Sequence, residues 1–290
     1  MASIAYVTDS NMLELHRLNN HKSMNFWRLS SKINFKNFSS GDFVFFLSKD
    51  KDQQRNKEKG IVGYGKLDDI HLKSFNSMWR CFGIENGYNT KEEFKEAITR
   101  VSRDGNIPNP ISSLYLKEVS FFQNPIYLSD CGMNISNNIE SFIYLDDYNV
   151  TLQILKYAKE SPDLWFSLGQ QESYIDKHLV EFSLNVSQEL VGDIKLSDSK
   201  VKKGYKDLKD FVIINPEYRF IKESKLSLYK YSDGRLSILL YTDKDIDDRL
   251  VLGQALLLKS NFKKIYKDDI NIVFKIFGRR SDLEEIINKE

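Results

Sequence analysis

The sequence predicts an α+β protein of two domains, a β-barrel-type first half and a mixed α/β second half. Three observations carry that expectation. Short apolar segments such as FVFFL, IVGYGKL and LYLKEVSFF dominate the first half, with only brief helical patterns between them. Helical periods and hairpin signals alternate through the second half. A chain of 290 residues with 41% hydrophobic and 13% aromatic side chains can bury two ordinary cores. The polar, turn-rich CGMNISNNIESF at 131–142 separates the halves, which places the boundary near residue 145 and gives domains 1–145 and 146–290.

Each element has a local cause. Ile4 to Thr8 reads as a strand, and DSNMLELHRLNN as a short helix with Asp9 or Ser10 as its cap. Gly41-Asp42 turns the chain into FVFFL, a buried strand. KDKDQQRNKEKG is then too charged to be anything but a solvated loop, its bases Lys49, Lys51, Arg55, Lys57 and Lys59 interleaved with acids. IVGYGKL returns as a strand, and the glycines at 60, 63 and 65 admit a bulge or the close approach of another backbone. TKEEFKEAITRV is an amphipathic helix with Thr90 as N-cap, Glu93 as capping-box partner, and Phe94, Ile98 and Val101 on one face. LYLKEVSFF and NPIYLS read as two extended segments.

In the second half NVTLQILKYAKES is a helix stopped by Pro162, and LWFSLGQQESYIDK is another. VEFSLNV and ELVGDIKL pair as a hairpin around Ser187-Gln188, FVIIN is a short buried strand, and KLSLYKYSDGRLSILLYTD is a hairpin turned at Asp233-Gly234. DIDDRLVLGQALLLKSNFKKIY is the longest helix, capped by Asp245, with Leu250, Leu257 and Ile265 among its apolar positions. INIVFKIF is a final strand and SDLEEIINKE a terminal helix.

Composition narrows the function classes. Lys+Arg 42 against Asp+Glu 41 leaves no global field to draw the protein onto nucleic acid or membrane, so any charged site must be local. Cys81 and Cys131 lack zinc or redox spacing and read as reduced thiols of a cytoplasmic protein. The N-terminus carries no secretory pattern, and no apolar run reaches the ~18 residues that span a bilayer. The four histidines have no metal-ligand spacing, and His16 and His21 read as a solvated pair. Gly63-Tyr64-Gly65 lacks the third glycine of a dinucleotide fingerprint.

Phe26-Trp27-Arg28, the turn and strand GDFVFFL, the long polar loop, GIVGYGKL and the following MWRCFG together resemble the EVE branch of the PUA-like superfamily. The resemblance covers roughly the first half of the chain; the helix TKEEFKEAITRV departs from its simplest pattern. It implies a PUA-like pseudo-barrel with a pocket for a nucleobase, in a protein of restriction or antiphage defence. A flipped base needs an aromatic face and a few polar groups. Trp27 and Trp79 are the stacking candidates, and Arg28, Ser30 and Arg80 the hydrogen-bonding or phosphate-contacting ones. The implied partner is nucleic acid, DNA ahead of RNA, with a homo-oligomer or a defence-system protein as further partner.

A base reader joined to a second domain suggests a nuclease, and the second half has weak similarity to PD-(D/E)XK nuclease-like domains. That chemistry needs two carboxylates on Mg²⁺ and a lysine beside the attacking water. Asp193-Ile194-Lys195 has the D-x-K spacing, with Asp176, Glu181 or Glu172 as the earlier acid. Alternatively Asp233 precedes a strand ending at Asp243-Lys244, followed by a helix bearing Gln254 and another strand. The expectation is therefore Asp193, Lys195, Asp233 and Asp243 as catalytic residues, with Asp193 and Asp233 as the Mg²⁺ ligands. The competing expectation is a non-catalytic DNA- or RNA-binding protein whose second domain recruits partners.

Overall fold

The computed structural model describes residues 3–29, 35–36, 38–102, 104–160, 174–244, 246–278 and 281–289. The chain divides into two units, Met1–Ile175 and Asp176–Glu290. The division falls well beyond residue 145 because helix α4 (Tyr148–Glu160), which buries Ile154, Leu155 and Ala158, packs on the first unit's sheet.

That sheet has six strands: β1 (Ser3–Thr8), β2 (Met24–Arg28), β3 (Phe43–Ser48), β4 (Ile61–Lys73), β5 (Ile111–Ile126) and β6 (Phe142–Tyr144). Their order is β2-β5-β4-β3-β1-β6, with β1 parallel to β3 and every other pairing antiparallel. Helices α1 (Ser10–Leu18), α2 (Phe75–Phe82) and α3 (Lys91–Val101) fill the connections. LYLKEVSFF and the first residues of NPIYLS belong to one strand, β5, which ends at Ile126. The glycines of β4 explain how so long a pair stays in contact. The β4–β5 register shifts between Ile61 and Gly63 and again between Tyr64 and Lys66, and a Cβ on Gly63 would stand 2.6 Å from the Ser120 carbonyl oxygen.

The expected barrel is an open sheet: among the described residues no backbone pairing joins β2 to β6. The sheet is nevertheless rolled. Laid flat, the four strand spacings from β2 to β1 would cover roughly 19 Å. The rings of Phe26 on β2 and Tyr6 on β1 lie 4.8 Å apart. Side chains therefore close a gap that hydrogen bonds leave open, around a core of Ile4, Met24, Phe26, Val44, Phe46 and Leu114. Met12 and Leu13 of α1 are buried in this same core.

The second unit holds α6 (Asp198–Ile214), β7 (Arg219–Phe220), β8 (Ser227–Ser232), β9 (Arg235–Tyr241), α7 (Asp248–Tyr266), β10 (Asn271–Phe277) and α8 (Ser281–Lys289), and opens with α5 (Ile175–Val191). Its sheet runs β10-β9-β8-β7, with β10 parallel to β9 across the α7 crossover and the other pairs antiparallel. The Asp233-Gly234 hairpin stands as expected, with φ of 51° and 69° at its two turn residues, the pair of left-handed conformations a type I′ turn needs.

Three expectations fail here. VEFSLNV and the first three residues of ELVGDIKL lie in helix α5, whose polar Ser183, Asn185, Ser187 and Gln188 are buried like Leu179 and Leu184. FVIIN is the end of α6, with Ile213 and Ile214 78% and 79% exposed. Helix α7 buries Val251, Ala255, Leu258 and Phe262, while Leu250 and Leu257 face outward; its cap is Asp247, and Asp245 lies outside the described residues. The LWFSLGQQES segment with Pro162 also lies outside them. Among the described residues no helix is long and apolar enough to cross a membrane.

Candidate nucleic-acid interface

Successive residues of a strand point to opposite faces, and that alternation splits the Phe26-Trp27-Arg28 motif. Phe26 and Arg28 enter the rolled interior beside Met24; Trp27 points out beneath α2 and α3. Arg28 lies in the seam where β2 approaches β1 and β6. Its Nε donates to Ser112 Oγ at 3.2 Å, and its guanidinium carbon stands 4.4 Å from the centre of the Phe35 ring. Phe35 lies edge-on to Phe142 at 5.1 Å, and Phe142 stacks on Tyr6 at 5.6 Å. The Tyr144 hydroxyl accepts the Lys36 N–H at 2.9 Å. Burial lowers the Arg28 pKa from its ordinary value, and the hydroxyls of Tyr6 and Tyr144 oppose that shift. The seam thus presents one desolvated planar cation among aromatic rings.

Trp27 and Trp79 do come together, but in a packed cluster. Both rings contact Phe94, which is fully buried, at 5.6 and 6.0 Å, and Trp27 also meets Tyr88 at 6.3 Å. Trp27 Nε1 is buried and finds no acceptor among the described residues. Arg80 is exposed on α2, and Ser30 lies outside the described residues. In α3 the buried face is Phe94, Ala97 and Ile98, with Val101 exposed; Glu93 reaches back to the N–H of Asn89, one residue before the Thr90 cap.

The charged loop at 49–59 is fastened rather than merely solvated. Arg55 Nη1 donates to both carboxylate oxygens of Asp130 at 2.8 and 3.0 Å, and the guanidinium lies 4.7 Å over Tyr127. Glu58 accepts from Ser129 N and Oγ at 3.0 and 2.6 Å, and Lys59 Nζ donates to the Ile139 carbonyl. His16 and His21 are no solvated pair either: their Nδ1 atoms lie 2.9 Å apart and His16 is fully buried. Nothing in a five-residue spacing signals this, because the bond forms only where α1 ends and the chain doubles back.

The expected metal constellation is dispersed. Asp193 follows α5 and accepts from Gln188 Nε2 at 3.0 Å, Ser224 Oγ at 2.6 Å and Lys225 N at 2.9 Å. Asp233 stands exposed at the far tip of the β8–β9 hairpin, eight residues along an extended strand from Lys225, roughly 25 Å away. Asp243 pairs with Lys203 at 3.6 Å, Lys195 is exposed, and Gln254 donates to the Gly192 carbonyl at 3.3 Å. Asp176 and Glu181 lie on α5, and Glu172 is outside the described residues. The strand, helix, strand order expected after Asp233 is present as β9-α7-β10, yet neither SLYKYS nor RLSILLY carries an acid. Among the described residues no group of three or more His, Cys, Asp or Glu side chains converges to hold a metal. Asp193 therefore ties the end of α5 to the entry of β8. Asp193→Ala should cost about 2 kcal/mol, since three hydrogen bonds to a charged acceptor disappear. Urea unfolding checks it; an unchanged midpoint would refute the tie.

No family model matches the chain, and no curated protein matches it. Among solved structures the chain is similar to ASCH from Zymomonas mobilis, at 12% identity over 55% of this chain and 96% of that one, with a TM-score of 0.37. A serine-to-alanine mutant of ZmASCH from the same organism gives 12% identity over 53% and 95%, with a TM-score of 0.38.

Proposed function

We propose that this chain is a nucleic-acid-binding protein that takes an unpaired or flipped-out base at the seam of its first unit, and that its second unit binds rather than cuts. The observation that carries the reading is Arg28, buried in the seam over Phe35 beside Tyr6 and Tyr144. Aromatic faces stack any base, worth about 1–3 kcal/mol each. A planar guanidinium fork pairs with two acceptors at once, as on a guanine edge or a phosphate. Strand β2 is an edge of the six-stranded sheet among the described residues, the kind of strand along which a ligand or chain can be laid. Support for a binding second unit comes from the dispersal of its acids and from the commitment of Asp193 to the loop before β8. The sequence resemblance supplies the restriction or antiphage context.

The test is polarisation of labelled unmodified duplex, base-modified duplex and RNA, with EDTA and with Mg²⁺, alongside a denaturing gel. Binding should persist in EDTA. Arg28→Lys keeps the charge but loses the fork, and should weaken binding tenfold or more with the unfolding midpoint little changed. No binding in any arm overturns the reading; Mg²⁺-dependent fragments would replace it with the nuclease reading.

A further inference from the structure

The second unit's sheet has two faces with different fates. Leu236, Ile238, Leu240 and Phe274 are buried on one. On the other, strand alternation and register bring out Lys230 and Ser232 of β8, Arg235, Ser237 and Leu239 of β9, and Lys275 and Phe277 of β10. Helix α6 covers one end of this face: Gly204 lies against Leu226 and Tyr241, and Phe211 meets Phe277 edge-on at 5.5 Å. The rest opens as a groove of about 850 Å³.

The groove floor is uncharged at the buried Ser237 and Leu239, and its charge is on three strands. Lys230 lies opposite Ser237, Lys275 opposite Leu239, and Arg235 begins β9. At about 3.3 Å per residue and 4.8 Å per strand, their backbone anchors are spread over roughly 8 to 14 Å. Side chains stand perpendicular to a sheet, so the charges stay spread along the groove rather than meeting at one point. Two acids also line it. Glu217 sits 3.5 Å from Lys230 Nζ, and Glu284 accepts the Ile276 N–H at 2.6 Å, which fixes its carboxylate on the sheet edge. Tyr218 is buried against Phe211 and backs one side of the groove, with Lys275 Nζ 6.0 Å from its ring centre. Cations spread at this spacing along a groove match an extended polyanion.

We infer that this groove is a second nucleic-acid contact, in which Arg235 and Lys275 hold the phosphodiester backbone of a single strand. The inference rests on the reading of the chain as a nucleic-acid binder. It adds a site on the other unit that tracks backbone rather than base identity.

The experiment titrates the full-length chain with a labelled mixed-sequence single-stranded DNA, and with the matching RNA, over a series of NaCl concentrations. Arg235→Ala with Lys275→Ala should lower the slope of log K against log salt by about 1.4, at about 0.7 for each phosphate that a single strand no longer has neutralised, and weaken binding for both strands alike. Glu217→Gln should strengthen binding severalfold, a gain that a purely structural role would not produce. Arg28→Lys should lower affinity while leaving the salt slope almost unchanged, because its charge is kept. A double variant with wild-type slope and affinity, in a chain that still binds, overturns the groove and spares the seam. Wild-type protein that binds neither strand overturns both. Saturable, Arg235-dependent binding of polyglutamate without any of nucleic acid would identify the groove as a site for acidic protein and overturn the inference.

Discussion

Trp27→Ala should destabilise the first unit by about 3 kcal/mol, whereas Trp27→Phe should cost about half of that and leave nucleic-acid affinity almost unchanged. The reason is where the ring sits. Phe94 is fully buried and is met by four rings, Trp27 at 5.6 Å, Phe75 at 5.4 Å, Trp79 at 6.0 Å and Tyr88 at 5.7 Å. Removing Trp27 leaves a hole between the sheet and α3 that its neighbours, anchored on a strand and two helices, cannot collapse to fill. Large-to-small changes of buried aromatics cost about 3–5 kcal/mol, and partial exposure of Trp27 places it at the lower end. Urea unfolding followed by far-ultraviolet circular dichroism measures the loss, and polarisation under folding conditions measures affinity on the same preparations. Trp27→Phe that keeps its stability but loses binding would return the indole to the role of a stacking face. The split between Trp27 and Arg28 is thus testable with one strand and two adjacent substitutions.

The features legible in the sequence are those whose cause is local. Thr90 caps α3 through the Glu93 N–H at 3.1 Å, Asp9 caps α1, and Asp233-Gly234 turns its hairpin, because caps and turns depend on two to four neighbouring residues. The glycines of IVGYGKL are likewise readable as a close approach, although not that β5 is the strand approaching. What escapes depends on partners far along the chain. In VEFSLNV apolar and polar residues alternate, the pattern of a strand, yet every polar position except Glu181 is buried along with the apolar ones. A helix buried on most sides has no periodicity to detect. Asn185 is satisfied by the Lys222 N–H at 2.9 Å and Ser187 by the Ser183 carbonyl at 2.7 Å, partners that the strand pattern does not reveal. FVIIN fails for the opposite reason: β-branched residues favour strands, but α6 simply continues through them into solvent. The candidate site divides in the same way. Phe26-Trp27-Arg28 stands out as a unit of sequence, but strand alternation puts its members on two faces, and the rings around Arg28 come from β1, β6 and Phe35. The D-x-K tripeptide misleads because spacing alone does not make a strand, and Asp193 is committed to Ser224 and Lys225.

Acid should unfold the first unit between about pH 6 and pH 3, and His16→Leu should remove most of that sensitivity. Burial is the larger cause that brings the His16 pKa down from 6.5 to about 3, and the neighbouring His21 pushes the same way; the backbone near Glu85 opposes them weakly. His21 is lowered too, by burial, with the Glu85 carboxylate working against the shift. The sign follows from linkage. The unfolded chain binds a proton on His16 near pH 6.5 while the folded chain resists it until about pH 3, so between those values the unfolded state carries more protons and stability falls as pH falls. Over the whole window the loss approaches an upper bound of about 5 kcal/mol, comparable with the entire stability of many domains. The geometry says why the group cannot escape. The two Nδ1 atoms lie 2.9 Å apart, so one must be a donor and the other an acceptor, and a second proton on the pair destroys the bond while the His16 ring is fully buried. Ser23 and Tyr115 both donate to Glu85, which leaves that carboxylate less able to offset a charge on His16. All three tryptophans of the chain, Trp27, Trp79 and Trp165, fall within Met1–Ile175, so tryptophan fluorescence during urea unfolding reports on this unit and not on the other. The wild-type midpoint should drop steadily below pH 6, and the His16→Leu midpoint should stay nearly level down to the range where carboxylates protonate. Parallel curves for the two proteins would mean that the acid sensitivity lies elsewhere, and the buried ring would then have to be protonated in the folded state at no cost, which its complete burial argues against.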